Sequence, residues 1–126
     1  MQHYRPLNAF VTETLDDAMA AAERSDQRRE SGKAIGPLDG IPIAIKDNFC
    51  TDGVLTTAGS AALCTYVPPF DATMVARLKD AGAILVGKTN MDEFGMGSFN
   101  MHSHYGPCIS PWRSQQEDAS PSSTGV

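Results

Sequence analysis

The sequence predicts an α/β domain with a mixed or largely parallel sheet flanked by helices, and three observations carry that expectation. Ile41, Ile43 and Ile45 alternate with Pro42 and Ala44, the period of a short strand. Residues 83–86 are a continuous apolar run, Ala-Ile-Leu-Val, as in a strand covered on both faces. Helical periodicity fills the intervals before each of these runs. The order strand, helix, strand, helix, strand is that of an α/β fold.

Taken along the chain, residues 7–11 (Leu-Asn-Ala-Phe-Val) read as a first short strand. Leu15, Ala18, Met19 and Ala22 then follow helical spacing, with Thr14 as the expected cap and Asp16 and Asp17 in the first turn, where the helix dipole favours acids. Gly32 stops this helix, which is predicted over residues 14–31. Gly36-Pro37 and Asp39-Gly40 are turn chemistry, and Pro42 belongs at the entry of the following strand or on a sheet edge. The small, Gly- and Thr-rich residues 51–60 suit the lining of a cleft. Asp71 reads as the cap of a second helix with Met74, Val75 and Leu78 on its buried face, closed by Gly82. Residues 114–126 lack hydrophobic periodicity and read as a flexible polar tail after a domain over 1–113.

Composition narrows the functional classes. The 126 residues allow one domain, and 10 Lys+Arg against 15 Asp+Glu give a net charge of −5. No basic stripe interleaved with aromatics is present, so direct RNA contact has no support. No apolar run approaches the ~20 residues of a membrane span, and no secretory leader or Arg-rich presequence is visible. Cys50, Cys64 and Cys108 are widely spaced and read as reduced thiols, Cys50 and Cys64 as small buried hydrophobes.

The strand over residues 41–45 delivers Lys46, Asp47 and Asn48 in succession. A lysine at the end of an apolar strand is partly desolvated, which disfavours its ammonium form and makes a neutral amine available as a general base. Such lysines also snorkel or pair with a neighbouring carboxylate such as Asp47, and the motif alone leaves both roles open. Lys88 follows a glycine, but the spacing of a phosphate-binding loop is absent. Asp92 and Glu93 read as helix-capping acids, and Asp47 and Asn48 as residues that fix the loop around Lys46. His102 and His104 share a strand face without a third ligand at suitable spacing, and nothing orients a histidine toward Cys108.

Two stretches stand together: Gly40-Ile41-Pro42-Ile43-Ala44-Ile45-Lys46-Asp47-Asn48 and Gly87-Lys88-Thr89-Asn90-Met91-Asp92-Glu93-Phe94-Gly95-Met96-Gly97-Ser98. With Leu7-Asn8-Ala9-Phe10-Val11, Thr56-Thr57, Asp71-Ala72-Thr73 and Tyr105-Gly106-Pro107, they resemble the N-terminal part of the amidase signature family over about residues 6–113. Within that family the wording is most similar to the A-type subunits of the glutamyl-tRNA(Gln) amidotransferases, with a mitochondrial flavour in Ser103-His104-Tyr105-Gly106-Pro107. The resemblance implies the beginning of a mixed central sheet covered by helices, incomplete in this chain. It also implies amide hydrolysis by a nucleophilic serine, a second serine on a cis peptide, and a lysine at the position of Lys46. Met96, Gly97 and Ser98 match a segment that lines the substrate pocket.

The resemblance further implies glutamine as substrate, partner subunits of B and C type, and tRNA met only through the complex. No metal or cofactor is implied in this chain; ATP and magnesium are used by the partner subunit. The compartment implied is the mitochondrial matrix, or otherwise the cytoplasm. Both family serines lie in a downstream Gly-Gly-Ser-Ser-Gly-Gly-Ser-like motif, and Ser120-Pro121-Ser122-Ser123-Thr124-Gly125 does not have that pattern. The expectation is therefore a piece of a longer enzyme, inactive alone and marginally stable; the alternatives are a piece of a stand-alone amidase, or a non-catalytic product that binds the partner subunits.

Overall fold

A computed structural model describes residues 6–112. Strand β1 (Phe10–Glu13) leads into helix α1 (Leu15–Glu30), strand β2 (Pro42–Lys46), helix α2 (Thr73–Asp80) and strand β3 (Ile84–Thr89). The sheet order is β1-β3-β2, with β3 central, β1 antiparallel to it and β2 parallel to it. This is the expected α/β arrangement with a mixed sheet. Pro42 is both the first residue of its strand and on an edge, where its missing N–H leaves no ladder bond unmade.

Several local expectations need correction. The first strand begins at Phe10 rather than residue 7, because its register on β3 starts with Phe10 opposite Thr89. Asn8 is instead a left-handed residue (φ 52°) whose amide donates to the carbonyls of Tyr105 and Gly106 at 2.8 and 3.1 Å. Helix α1 falls where predicted, but the Thr14 hydroxyl does not cap it; it donates to the Leu85 carbonyl at 3.0 Å and ties the helix start to β3. On α1, Ala18 and Ser25 are buried, while Leu15 and Met19 are exposed. Helix α2 starts after Ala72, and Asp71 does not cap it. The Asp71 carboxylate accepts the Asp52 N–H and pairs with Lys79, so an acid with two nearby donors serves tertiary contacts instead of the cap. Val75 is buried, Leu78 half-buried and Met74 exposed. Gly82 closes α2 as expected, with the Ala83 N–H returning to the Leu78 carbonyl. Cys50 is half-buried and Cys64 exposed, against the expectation of two buried thiols. The expected tail at 114–126 lies outside the described residues.

Among the described residues the core is thin: its buried apolar side chains are Ala18, Ile45, Ala58, Pro68, Val75, Ile84 and Met91. Polar contacts do much of the fastening. Asp39 is fully buried and accepts from the Arg28 guanidinium at 2.6 and 3.1 Å and from the Ile35 N–H at 3.1 Å, while Arg29 donates to its carbonyl. Backbone bonds from Leu38 to Ala81 and from Gly40 to Gly82 join the same turn to the end of α2. The turn that launches β2 is thus held between the C-terminal ends of both helices.

These bonds have a pH consequence. The Arg28 guanidinium outweighs desolvation and holds the Asp39 carboxyl well below the usual carboxylate range. Stability from this depressed group is complete above its unfolded value, near about 4, and is lost as pH falls below that toward the folded value. Urea midpoints should therefore drop between about pH 6 and about pH 3, and Asp39→Asn should give a lower midpoint with a flatter acid limb. An unchanged slope in Asp39→Asn contradicts the assignment.

Candidate active site around Lys46

A bulge sets the geometry of the site. Ile43 pairs with Leu85 but Ala44 pairs with Gly87, so Val86 is the extra residue on β3. Beyond the bulge, Ile45 pairs with Lys88 and Lys46 with Thr89. Paired residues project to the same side of a sheet and successive ones alternate. Ile45 and Lys88 therefore share one face, and Lys46 and Thr89 the other.

On its face Lys46 is exposed and stands at an open cleft of about 80 Å³. The opposite wall comes from the segment after β3: Asn90, Met91, Asp92, Gly95, Gly97, Ser98 and Asn100. The fold brings Lys46, Gly97 and Ser98 together from the two sequence stretches. Met96 is 73% exposed and outside this lining. Of residues 51–60, expected as cleft lining, none lines this cleft: 56–60 are buried beneath the Lys46 turn, and Asp52 and Val54 line a separate one.

The wall is built by side chains clamping backbone. Asp92 accepts the Asn100 N–H at 2.9 Å and the His102 N–H at 2.8 Å. These bonds hold its carboxyl below the ordinary value despite desolvation, with the His102 N–H the largest influence. A Cβ on Gly97 would collide with this carboxylate, so only glycine lets the chain pass. Glu93 accepts the Ser60 hydroxyl at 2.6 Å. Neither acid caps a helix, since the 3₁₀ turn Glu93–Gly95 has no side-chain cap and breaks at Phe94 (φ 52°); both bind loops together. Asn90 donates to the carbonyls of Asn8 and Gly106 and accepts from the Met91 N–H and the Ser103 hydroxyl. His104 stacks edge-on against Tyr105, and among the described residues no group of three His, Cys, Asp or Glu could hold a metal ion. Burial pushes the Cys108 thiol up, and its S–H donates to the Asn8 carbonyl.

On the other face, Asp47 is fully buried and accepts the Thr57 N–H at 3.0 Å, the Thr57 hydroxyl, and the Gly59 N–H at 3.5 Å. It fixes the loop beneath Lys46, whereas Asn48 is exposed. The expected desolvated lysine is therefore not Lys46. The fully buried one is Lys88, whose ammonium is pushed down by burial and pulled back up by the Asp47 carboxylate. The sequence gives no sign of this, because the face Lys88 takes depends on the bulge at Val86.

An amidase family model matches residues 2–126. The chain belongs to the amidase family. It is 58% identical over 112 residues to the A subunit of the glutamyl-tRNA(Gln) amidotransferase of Rhodospirillum rubrum, covering 89% of this chain and 22% of that protein. The mitochondrial A subunit of Ixodes scapularis is 54% identical over 113 residues, with 90% and 22% covered. Among solved structures, the A subunit of Thermotoga maritima superposes with a TM-score of 0.63 at 36% identity, over 84% of this chain and 21% of that one. The chain thus spans about 22% of the length of the curated relatives it matches.

Gly59 reports on the packing under the site. Its φ is +67°, and an added Cβ would meet the Met91 carbonyl at 2.5 Å. Gly59→Ala should cost about 1–3 kcal/mol, read as a lower urea midpoint, from left-handed strain and overpacking together. A neutral substitution would show that the loop is not held against the cleft wall.

Proposed function

We propose that this chain carries the lysine-bearing wall of a glutamine-hydrolysing amidotransferase subunit of A type, which in the whole protein releases ammonia for converting glutamyl-tRNA(Gln) to glutaminyl-tRNA(Gln). The observation that carries the reading is Lys46 at one cleft with Gly97 and Ser98, in a chain 58% identical over 112 residues to such a protein. In this reading the neutral Lys46 amine takes a proton from a bridging serine, which takes one from the nucleophilic serine as it attacks the amide carbon. The proton then passes to the departing ammonia, and water hydrolyses the acyl-enzyme. Both serines are proposed to lie downstream of Val126 in the whole protein.

Met96, Gly97 and Ser98 are proposed as the substrate-side wall, with the Ser98 hydroxyl as a hydrogen-bonding group for glutamine. The exposed side chains of Phe94, Met96, Phe99 and Met101 beside the cleft are those that further protein would cover. B and C type subunits are the proposed partners, with ATP and magnesium acting at the partner and tRNA reached through the complex. The name of the Ixodes scapularis relative favours a mitochondrial setting.

The test uses the complete protein that carries this segment, assembled with its partner subunits. Lys46→Ala should lower glutaminase kcat by about 10²–10⁴-fold while the complex still assembles. Wild-type turnover in that variant would remove Lys46 from the chemistry. Copurification without B and C type subunits would favour a stand-alone amidase.

A further inference from the structure

Lys88 is a buried charge that the proposed chemistry does not use. Its Nζ donates to the Phe49 carbonyl at 2.8 Å and to the Thr56 hydroxyl at 2.7 Å. It lies 3.7 Å from Asp47 Oδ1, an atom with no hydrogen-bond partner among the described residues. That separation makes an ion pair rather than a hydrogen bond. One ammonium thus holds both Asp47 and Phe49, which bracket the turn leaving β2, and fastens them to the 56–59 loop. Lys46 is the residue immediately before this turn, and its side chain leaves from the opposite face of the sheet.

We infer that Lys88 is a positioning residue for Lys46: its buried ammonium fixes the turn that presents Lys46 to the cleft and cancels the Asp47 charge beside it. The inference rests on the proposed role of Lys46 as the base. Two buried opposite charges, each hydrogen-bonded on its far side, form a neutral unit, and removing one leaves the other uncompensated in a poorly solvated place. Among the described residues, the Cys50 thiol is the other titratable group that acts on Lys88. Asp92 is the charged group facing Lys46 across the cleft, its carboxylate occupied by backbone N–H groups. The variants below leave Cys50 and Asp92 in place, so the pair alone changes the field at Lys46.

The experiment measures glutaminase kcat/KM against pH in the complete complex for wild type, Lys88→Met, Asp47→Asn, the double variant and Lys46→Ala. A base that must be neutral gives an acid limb, where activity rises with pH. Lys88→Met leaves a bare Asp47 anion that holds the Lys46 proton longer, so the limb should move up by on the order of one pH unit. Asp47→Asn keeps an oxygen for Thr57 and Gly59 but leaves a bare cation, so the limb should move down by a similar amount. The double variant should return it to the wild-type position. Limbs that stay put while activity falls, or that move the same way in both single variants, overturn the inference. Should Lys88→Met fail to fold, the limb of Asp47→Asn must still lie below that of the double variant, and coincidence of the two overturns it. Lys46→Ala separates the two claims: full activity there defeats the proposed function, whereas inactivity there with unmoved limbs elsewhere defeats only the role of Lys88.

Discussion

The structure depends on keeping Asp47 satisfied out of water. A carboxylate with no exposed surface needs donors and a counter-charge, and the fold draws them from separate stretches of chain. Thr57 and Gly59 supply hydrogen bonds, and Lys88 supplies the charge from the central strand. Two of these partners also make a second commitment: Lys88 to Phe49 and Thr56, Gly59 to its close approach on Met91. The small residues after β2 are needed for this convergence. With so little apolar side chain buried, these polar contacts specify the loops that a larger core would otherwise hold.

The same network explains why Lys46 can be exposed and still be placed. Its backbone is fixed by the parallel ladder to β3, by the Asp47 N–H to the Thr89 carbonyl, and by the Phe49 N–H to its own carbonyl. Across the cleft, Asp92 and Asn90 give the 97–108 segment a comparable rigidity without regular secondary structure. Both walls are therefore preformed, and the free variable is the side chain of Lys46. In the proposed enzyme, further chain over the cleft and over Phe94, Phe99 and Met101 would cover that side chain as well.

Much of the fold was legible because its signals were local. Alternating isoleucines with Pro42 at their head marked β2, and the apolar run just after Gly82 marked β3. Helix α1 was readable from its spacing and from Gly32. Failures arose where a residue able to serve locally was taken for a distant contact. Thr14, Asp71 and Asp92 all carry capping chemistry, yet each is bonded to a neighbouring element. Lys46, Gly97 and Ser98 stood out as candidates through resemblance, and the fold sets them around one cleft. The buried lysine, Lys88, was not legible, since one extra residue at Val86 decides which face it takes.

If the Lys46 cleft is one wall of a larger amidase site, the size of the native protein bears on it directly. Intact mass should be measured on the endogenous species captured with an antibody against residues 71–95, followed by peptide mapping. A mass several times the 13.5 kDa of this chain, with a Gly/Ser-rich peptide downstream, is the predicted result. A species near 13.5 kDa would contradict it and leave Lys46 without the serines its chemistry requires.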